Sequence, residues 1–298
     1  MMQHGKPDNE ARSIQNTEGL KKTPDLSDWY QCATRLLGRP PKIGLALGSG
    51  ATFGVVHIGV LSVFHHYKIP ISYLSGCSSG AFVGALYAGG VEGKALDKCG
   101  KEYGWRDAGR LALPTMGLAS NVQMSDYLLK RIGDIHFEAL PLPFFAVGTN
   151  LRTGRLKIFH SGPIIPAIRA SCALPGIFAP VEIDGELYCD GGILMKIPCS
   201  ILRDAGADFV IAVDLVHAQQ KIAPKNIFEV IRRAADIAAT DQVQNELETA
   251  NLVIQPSLPD LNKFGFNHNI IQIERGRQVA IDALGQWLNQ VQARRRLS

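Results

Sequence analysis

The sequence predicts an α/β protein built on a mostly parallel sheet, and three observations carry that expectation. Apolar runs at Ile43–Leu47, at Tyr73–Leu74 and at Phe209–Val216 read as strands, the last with the continuous hydrophobicity of a central parallel strand buried on both faces. The first two runs each pass through a glycine-bearing turn into a segment with helical spacing of apolar groups, the order found where helices cross over a parallel sheet. At 298 residues, 46% hydrophobic and 19% charged, the chain has the balance of a globular protein with one substantial core.

Composition also excludes classes of function. The net charge of +4 is mild, and no dense Lys/Arg stripe with interleaved aromatics points to nucleic acid; the charge favours at most transient contact with an anionic membrane surface. The most apolar windows are interrupted by His65 and His66 or by Ser and Gly, so no transmembrane span is expected. The first forty residues are polar and lack the apolar core of a signal peptide, which makes the cytoplasm the expected location, with export by a non-classical route left open. Cys32, Cys77, Cys99, Cys172, Cys189 and Cys199 form no C-x-x-C pair and no His spacing suited to zinc, so reduced thiols are expected and no metal. Nothing in the sequence speaks to oligomeric state.

Residues 1–40 read as a polar leader, with a short helix over Leu26–Leu37 that starts near Asp25 or Ser27. Gly38-Arg39-Pro40-Pro41 breaks it, and the main domain is expected over 41–265. Ile43–Leu47 leads into Gly48-Ser49-Gly50-Ala51-Thr52-Phe53-Gly54 and then a helix. A dinucleotide fingerprint does not fit, because three residues separate Gly50 from Gly54 and no Asp or Glu occurs between Ile43 and Val91. The loop also lacks the G-K-[ST] of a P-loop. Lys94–Leu140 shows helical patterns, without evident chemistry, suited to a lid or substrate channel. Pro143–Asn150 reads as a strand, Arg152-Thr153-Gly154-Arg155 as a turn into Leu156–Phe159, and Pro163–Ala173 as a helix. Val181–Tyr188 alternates about Asp184-Gly185 and predicts a hairpin with Asp184 in its turn. Asn226–Ala250 carries a helical face at Ile227, Val230, Ile231, Ala234 and Ala238. Residues 266–298 carry another at Ala280, Leu284, Trp287, Leu288 and Val291, expected to dock on the core in preference to a membrane, although Arg294–Arg296 lie beside it.

The chemistry is expected at Gly76-Cys77-Ser78-Ser79-Gly80. A serine in a sharp strand-to-helix turn is lifted clear of the sheet, glycines at Gly76 and Gly80 avoid collision with the neighbouring strand or helix, and the helix N-terminus faces developing negative charge. Ser78 is therefore a candidate nucleophile. Acyl transfer also needs backbone N–H groups aimed at the carbonyl oxygen, and the glycine loop at 48–54 can supply them from the adjacent strand end; a turn used only for packing is the alternative. Asp190-Gly191-Gly192 places a carboxylate on a loop at a strand exit, where it is either a functional group or an Asx-turn. Asp214 is a structural cap or a second carboxylate. His57 is expected to serve packing.

Taken together, LGSGATFGVVHIGVL, GCSSG and IRASCALPGIFAPVEIDGELYCDGG resemble the patatin-like phospholipase family, in its small single-domain bacterial members, over residues 43 to about 216. The segment Ala250–Pro256 resembles what usually follows in that family. The resemblance implies a three-layer α/β/α fold and a Ser–Asp dyad, with Ser78 at the nucleophile's position and Asp190 at its partner's. It places the oxyanion hole at Gly48, Ser49, Gly50 and Ser79, and the proton-acceptor motif at Asp190 with Gly191 and Gly192. Two departures stand out: Phe53 occupies the usual place of a basic residue, and the D-G-G block continues Ile-Leu-Met-Lys where an Asn is often found. Phe53 is a candidate specificity residue, expected to put apolar surface beside the ester and to favour uncharged over anionic lipids.

These residues predict a serine acyl hydrolase acting on lipid esters through an acyl-enzyme, with no cofactor. For an aspartate to serve as base its carboxylate must sit in an apolar pocket that raises its pKa. The competing readings are a catalytically weak or inactive protein that binds lipid or a regulatory partner, and an α/β-hydrolase with a Ser-Asp-His triad through His217 or His268. The triad is disfavoured because the nucleophile follows only the second strand.

Overall fold

The computed structural model describes residues 25–111, 116–219, 223–224, 226–258 and 265–297; the leader expected over 1–24 lies outside them. In chain order the first half holds α1 (Trp29–Leu37), β1 (Ile43–Leu47), a 3-10 turn (Ala51–Val55), α2 (Val56–His66), β2 (Tyr73–Cys77), α3 (Ser79–Ala88), α4 (Gly93–Glu102), α5 (Trp105–Ala108), β3 (Arg110–Leu111), β4 (Ala119–Ser120) and α6 (Val122–Ile132). The second half holds β5 (Phe144–Asn150), β6 (Leu156–Phe159), α7 (Ile164–Ser171), β7 (Val181–Ile183), β8 (Glu186–Asp190), α8 (Ser200–Asp204), β9 (Phe209–Val213), α9 (Val216–Gln219), α10 (Ile227–Ala238), α11 (Thr240–Glu248), β10 (Leu252–Ile254) and α12 (Asn269–Leu297).

The central sheet has the order β10-β9-β1-β2-β5-β8-β7, with β6 also paired to β5. β10, β9, β1, β2 and β5 run parallel, and β6, β7 and β8 add antiparallel pairs at the other side. Alternation along the strands builds the layers. Ile43, Leu45 and Leu47 of β1, with Phe209, Ile211 and Val213 of β9, enter the large core beneath α1, α2 and α12. Ala46, Val210 and Ala212, on the opposite face, meet Leu202 of α8 and Val243 of α11. Since successive strand residues point to opposite faces, both sides of these strands are covered and every residue of β1 and β9 is buried.

Local sequence explains most of the turns. Asp184 and Gly185 both have positive φ, 53° and 76°, the type I′ geometry that Asp-Gly favours between twisted strands. Gly154, at φ 65°, closes the β5–β6 hairpin. Two boundaries differ from expectation. The strand predicted over Phe209–Val216 stops at Val213, because Asp214 turns to accept the N–H groups of Val216 (2.8 Å) and His217 (3.2 Å) and a bond from Gln255 Nε2 (2.9 Å). Asp214 is thus a cap. The helix expected over Asn226–Ala250 is two helices, α10 and α11, separated at the buried Ala239.

The final helix packs on α2. Gly59 and Gly276 meet there so closely that a Cβ on Gly276 would overlap the Val56 carbonyl oxygen, and one on Gly59 the Ile273 carbonyl oxygen. Its buried Ala280, Leu284, Leu288 and Val291 are four of the five positions expected to dock; Trp287, the fifth, is partly buried against the core. Among the described residues no helix is long and apolar enough to cross a membrane.

Candidate active site

Parallel strands bring their carboxyl ends, and the loops that follow, to one edge of the sheet, where α/β proteins place their sites. Here β1 delivers Gly48 and β2 delivers Ser78 to that edge, since Leu47 lies opposite Gly76 and the pair Cys77–Val147 sets β2 against β5. One residue further along β5, Gly148 pairs with Asp190 at the end of antiparallel β8. The register therefore places Ser78 and Asp190 at one level beside β5, although 112 positions separate them in the chain.

Ser78 has φ 54° and ψ −122°, a conformation an L-residue adopts only under constraint. The constraint is visible. Its N–H donates to Ser171 Oγ (3.0 Å) and its carbonyl accepts the Cys172 thiol (3.1 Å), so α7 grips the elbow from both sides. A Cβ on Gly76 would lie 2.6 Å from the Gly80 carbonyl oxygen, and one on Gly80 would overlap the Leu47 carbonyl oxygen. Those two glycines let β2, β1 and α3 approach closely enough to form the turn. The ten-residue α3 begins at Ser79, with its unpaired N–H groups directed past Ser78.

Asp190 is buried, and two main-chain contacts and one side-chain contact hold it. Its N–H donates to the Ala173 carbonyl (3.0 Å), its carbonyl accepts Thr149 Oγ1–H (3.0 Å), and its Oδ1 accepts the Gly192 N–H (2.8 Å). Burial raises the carboxyl above its ordinary 3.8, opposed in turn by hydrogen bonding to Ser78, the Gly192 N–H, the Lys196 charge and the Cys77 thiol. Oδ1 also lies 3.8 Å from Cys77 Sγ, whereas Oδ2 is buried without a well-formed hydrogen bond. That oxygen is the open acceptor of the site.

The glycine loop divides. Gly48 N–H donates to the Val213 carbonyl (3.1 Å) and Ser49 N–H to the Lys196 carbonyl (2.9 Å), so these two amides are engaged by the protein. Among the described residues the amides of Gly50, Ala51 and Ser79 meet no acceptor, and Ala51 and Ser79 line the cavity described below. Ala51 has φ 49°, and its place was not singled out from sequence. His57 is buried on α2 with Nε2 2.8 Å from the Gly48 carbonyl oxygen. Burial pushes the imidazole down to about 4, against the pull of that carbonyl, so a neutral ring donates Nε2–H and pins the loop. Phe53 departs from expectation: the 3-10 turn rotates its side chain fully into the main core, and it does not line the cavity. Its apolar surface is core, not substrate contact.

A cavity of about 530 Å³ opens beside Ser78 and Asp190, within the usual range for ligand pockets. Its wall is mainly apolar. Tyr103, Trp105, Met124 and Tyr127 come from the segment expected to form a lid or channel, and Ile177 and Phe178 from the turn after α7. Phe82, Tyr103 and Tyr127 contact one another through ring centroids 4.8–5.6 Å apart. His217 and His268 do not line the cavity; His217 is exposed, and its backbone N–H binds the Asp214 cap. Sequence reading passed over Lys196 and Asp236. Both are buried in the cavity wall and paired at 3.0 Å, and only the Lys196 end carried a signal, as part of the unusual run after D-G-G. Asp184 stays in its hairpin turn, and the six cysteines are buried and unpaired.

An uncharacterised NTE family protein of Mycobacterium tuberculosis is 38% identical over 181 residues, 59% of this chain and 49% of that protein. Lysophospholipase NTE1 of Cryptococcus neoformans is 32% identical over 203 residues, 65% of this chain and 12% of that protein. The chain thus spans half or less of the curated relatives it matches. Among solved structures, VipD from Legionella pneumophila superposes with a TM-score of 0.48 at 14% identity, covering 83% of this chain and 67% of that one. The family description "Patatin-like phospholipase" matches residues 45–203, more than half of the chain and both strand-end motifs, and the protein belongs to that family.

Proposed function

We propose that the protein is a serine acyl hydrolase that cleaves carboxylic ester bonds of lipids through Ser78 and Asp190. The observation that carries this reading is the strained Ser78 elbow at the start of α3, facing a largely apolar cavity that it shares with a buried carboxylate of raised pKa. In the first half-reaction Ser78 Oγ attacks the ester carbonyl carbon while its proton passes to Asp190. The carbonyl oxygen gains negative charge, which the free amides of Ala51 and Ser79, with Gly50 beside them, and the positive end of α3 stabilise. Asp190 then returns the proton to the departing alcohol oxygen as the carbon–oxygen bond breaks. In the second half-reaction a water loses its proton to Asp190 and attacks the acyl-enzyme, and Ser78 recovers a proton as the fatty acid leaves. The apolar wall receives the acyl chain and excludes water, which keeps the carboxylate a stronger base than it would be in solvent.

A fluorophosphonate probe tests the assignment. Wild type is expected to be labelled and to release fatty acid from acyl esters; Ser78→Ala loses both, and Asp190→Asn loses several orders of magnitude in turnover while remaining folded. A chelator leaves turnover unchanged, since each step is assigned to a protein group. Persistent labelling of Ser78→Ala, or a histidine variant at His57, His217 or His268 as inactive as Asp190→Asn while still folded, overturns the dyad.

A further inference from the structure

α10 is amphipathic in the reverse sense. A helix on the surface of a globular protein turns its apolar stripe to the core and its charges to water. Among the described side chains of α10 the acids Glu229 and Asp236 are buried, at 6% and 5% exposure, two turns apart on one face. The opposite face presents Ile227, Val230 and Ile237 at 68%, 53% and 60% exposure. A contiguous exposed apolar face of this kind marks a contact made with something else.

Three observations say what that contact is. Ile231 and Ala235 belong both to the outward side of α10 and to the wall of the acyl cavity, so the exposed face is continuous with the place where a lipid ester would enter. The same rim continues around the mouth: Trp105 and Ile193 are exposed and line the cavity, while Asn226 at the start of α10 shares a neighbouring cavity with Trp105, Leu111 and Leu118. Arg106 and Arg110 are exposed beside Trp105 and Leu111, and tryptophan with basic side chains around aliphatic groups is the chemistry that settles at the boundary of an anionic bilayer. A second copy seated on this rim would close the mouth against lipid.

The attachment of α10 is equally specific. Asp236 meets Lys196 at 3.0 Å inside the cavity wall, and the Lys196 carbonyl accepts the Ser49 N–H of the glycine loop. An ion pair so placed fastens the helix directly to the catalytic loops. We propose that α10 is an interfacial lid: a lipid surface takes up its outward apolar face, and the Lys196–Asp236 pair is the latch that holds it against the cavity until that contact is made. This rests on the reading of the site as a lipid ester hydrolase for its consequence in turnover, but not for the docking itself.

The experiment separates the two. Binding is read with the Ser78→Ala protein by co-sedimentation with mixed phosphatidylcholine–phosphatidylglycerol vesicles. Adding Val230→Glu and Ile237→Glu, at positions that do not line the cavity, is expected to lower binding by about tenfold or more. Turnover is read on a short-chain lysophospholipid below and above its critical micelle concentration. Wild type gains rate on crossing it; Val230→Glu with Ile237→Glu loses the gain yet keeps wild-type turnover of a soluble nitrophenyl ester. Asp236→Asn releases the latch and raises the rate on monomeric substrate several-fold, which shrinks the gain. Unchanged sedimentation of the double variant overturns the docking face, as does a wild-type dimer that the double variant abolishes without any vesicle binding. An Asp236→Asn protein with the wild-type ratio of micellar to monomeric rates overturns the latch. If wild type hydrolyses none of these esters while the vesicle result holds, the hydrolase reading fails and the docking face stands.

Discussion

Lys196 shows how one buried side chain can set the chemistry of another. It lines the cavity, and its charge favours the ionised form of Asp190 against the desolvation that raises it. Because the base must be ionised to act, the acid limb of kcat/KM follows the Asp190 pKa and is expected above the ordinary 3.8. Replacing Lys196 by Met removes a charge that stabilises the carboxylate, so the limb should move to still higher pH. A pH–rate profile on a soluble ester checks it, and a limb that stays or moves down shows that the lysine does not act on Asp190. His57 sets a second pH dependence, this time of stability. The unfolded imidazole takes up a proton below 6.5 while the folded one resists until about 4. Between those values the unfolded state binds more protons, so stability falls as pH drops, by about 3 kcal/mol over the whole interval. Below about 4 both states are protonated and this loss ends. Urea unfolding at pH 7 and pH 4.5 should show His57→Gln losing about 2 kcal/mol less than wild type over that interval. Equal losses would mean that the ring is not held neutral.

At the scale of elements, the crossing of α2 and α12 is the contact most sensitive to a small change. Neither Gly59 nor Gly276 has room for a side chain, because the facing atoms are backbone and cannot rotate away. Gly276→Ala is expected to force the helices apart and cost about 1–3 kcal/mol, the range seen when a packed core is overfilled. Gly104→Ala, where a Cβ would meet nothing within 4 Å, should stay within about 0.5 kcal/mol. Thermal unfolding of the two variants distinguishes a specific crossing from a general cost of replacing glycine. The same logic explains Gly76 and Gly80, where the obstacle is again main chain and where the close approach creates the elbow.

For the molecule as a whole, the question is whether 266–298 is an appendage or part of the folding unit. Trp287 lies against Trp29 of α1 and Phe209 of β9, with ring centroids 4.7 and 5.2 Å away, so α12 joins the N-terminal helix to the central sheet. Ile273, Leu284 and Leu288 extend that burial along the helix. A chain ending before Asn269 would uncover the α2 face and the Trp29 pocket together. It is expected to lose its cooperative thermal transition and its near-ultraviolet circular dichroism, whereas retention of both would make α12 dispensable.

Local sequence determined the strand-turn-helix units and the hairpin at Asp184-Gly185 and made Ser78 a candidate nucleophile, because each depends on neighbours only a few positions away, whereas Asp190 stayed open between a functional group and an Asx-turn until the family resemblance paired it with Ser78. The glycines two residues to either side of Ser78, and the two that follow Asp190, state their steric need within five residues. The partition of the glycine loop was not legible in that way. Whether Gly48 and Ser49 spend their N–H groups on Val213 and Lys196, leaving those of Gly50, Ala51 and Ser79 without an acceptor among the described residues, depends on strands and loops that meet only after folding. Phe53 reads identically whether it faces substrate or core, and the 3-10 turn decided for the core. The apolar stripe of α10 was plain in the sequence, and its direction was not: periodicity gives a helix a face but no partner. The direction followed from Asp236 finding Lys196, forty positions away, across the wall of the cavity.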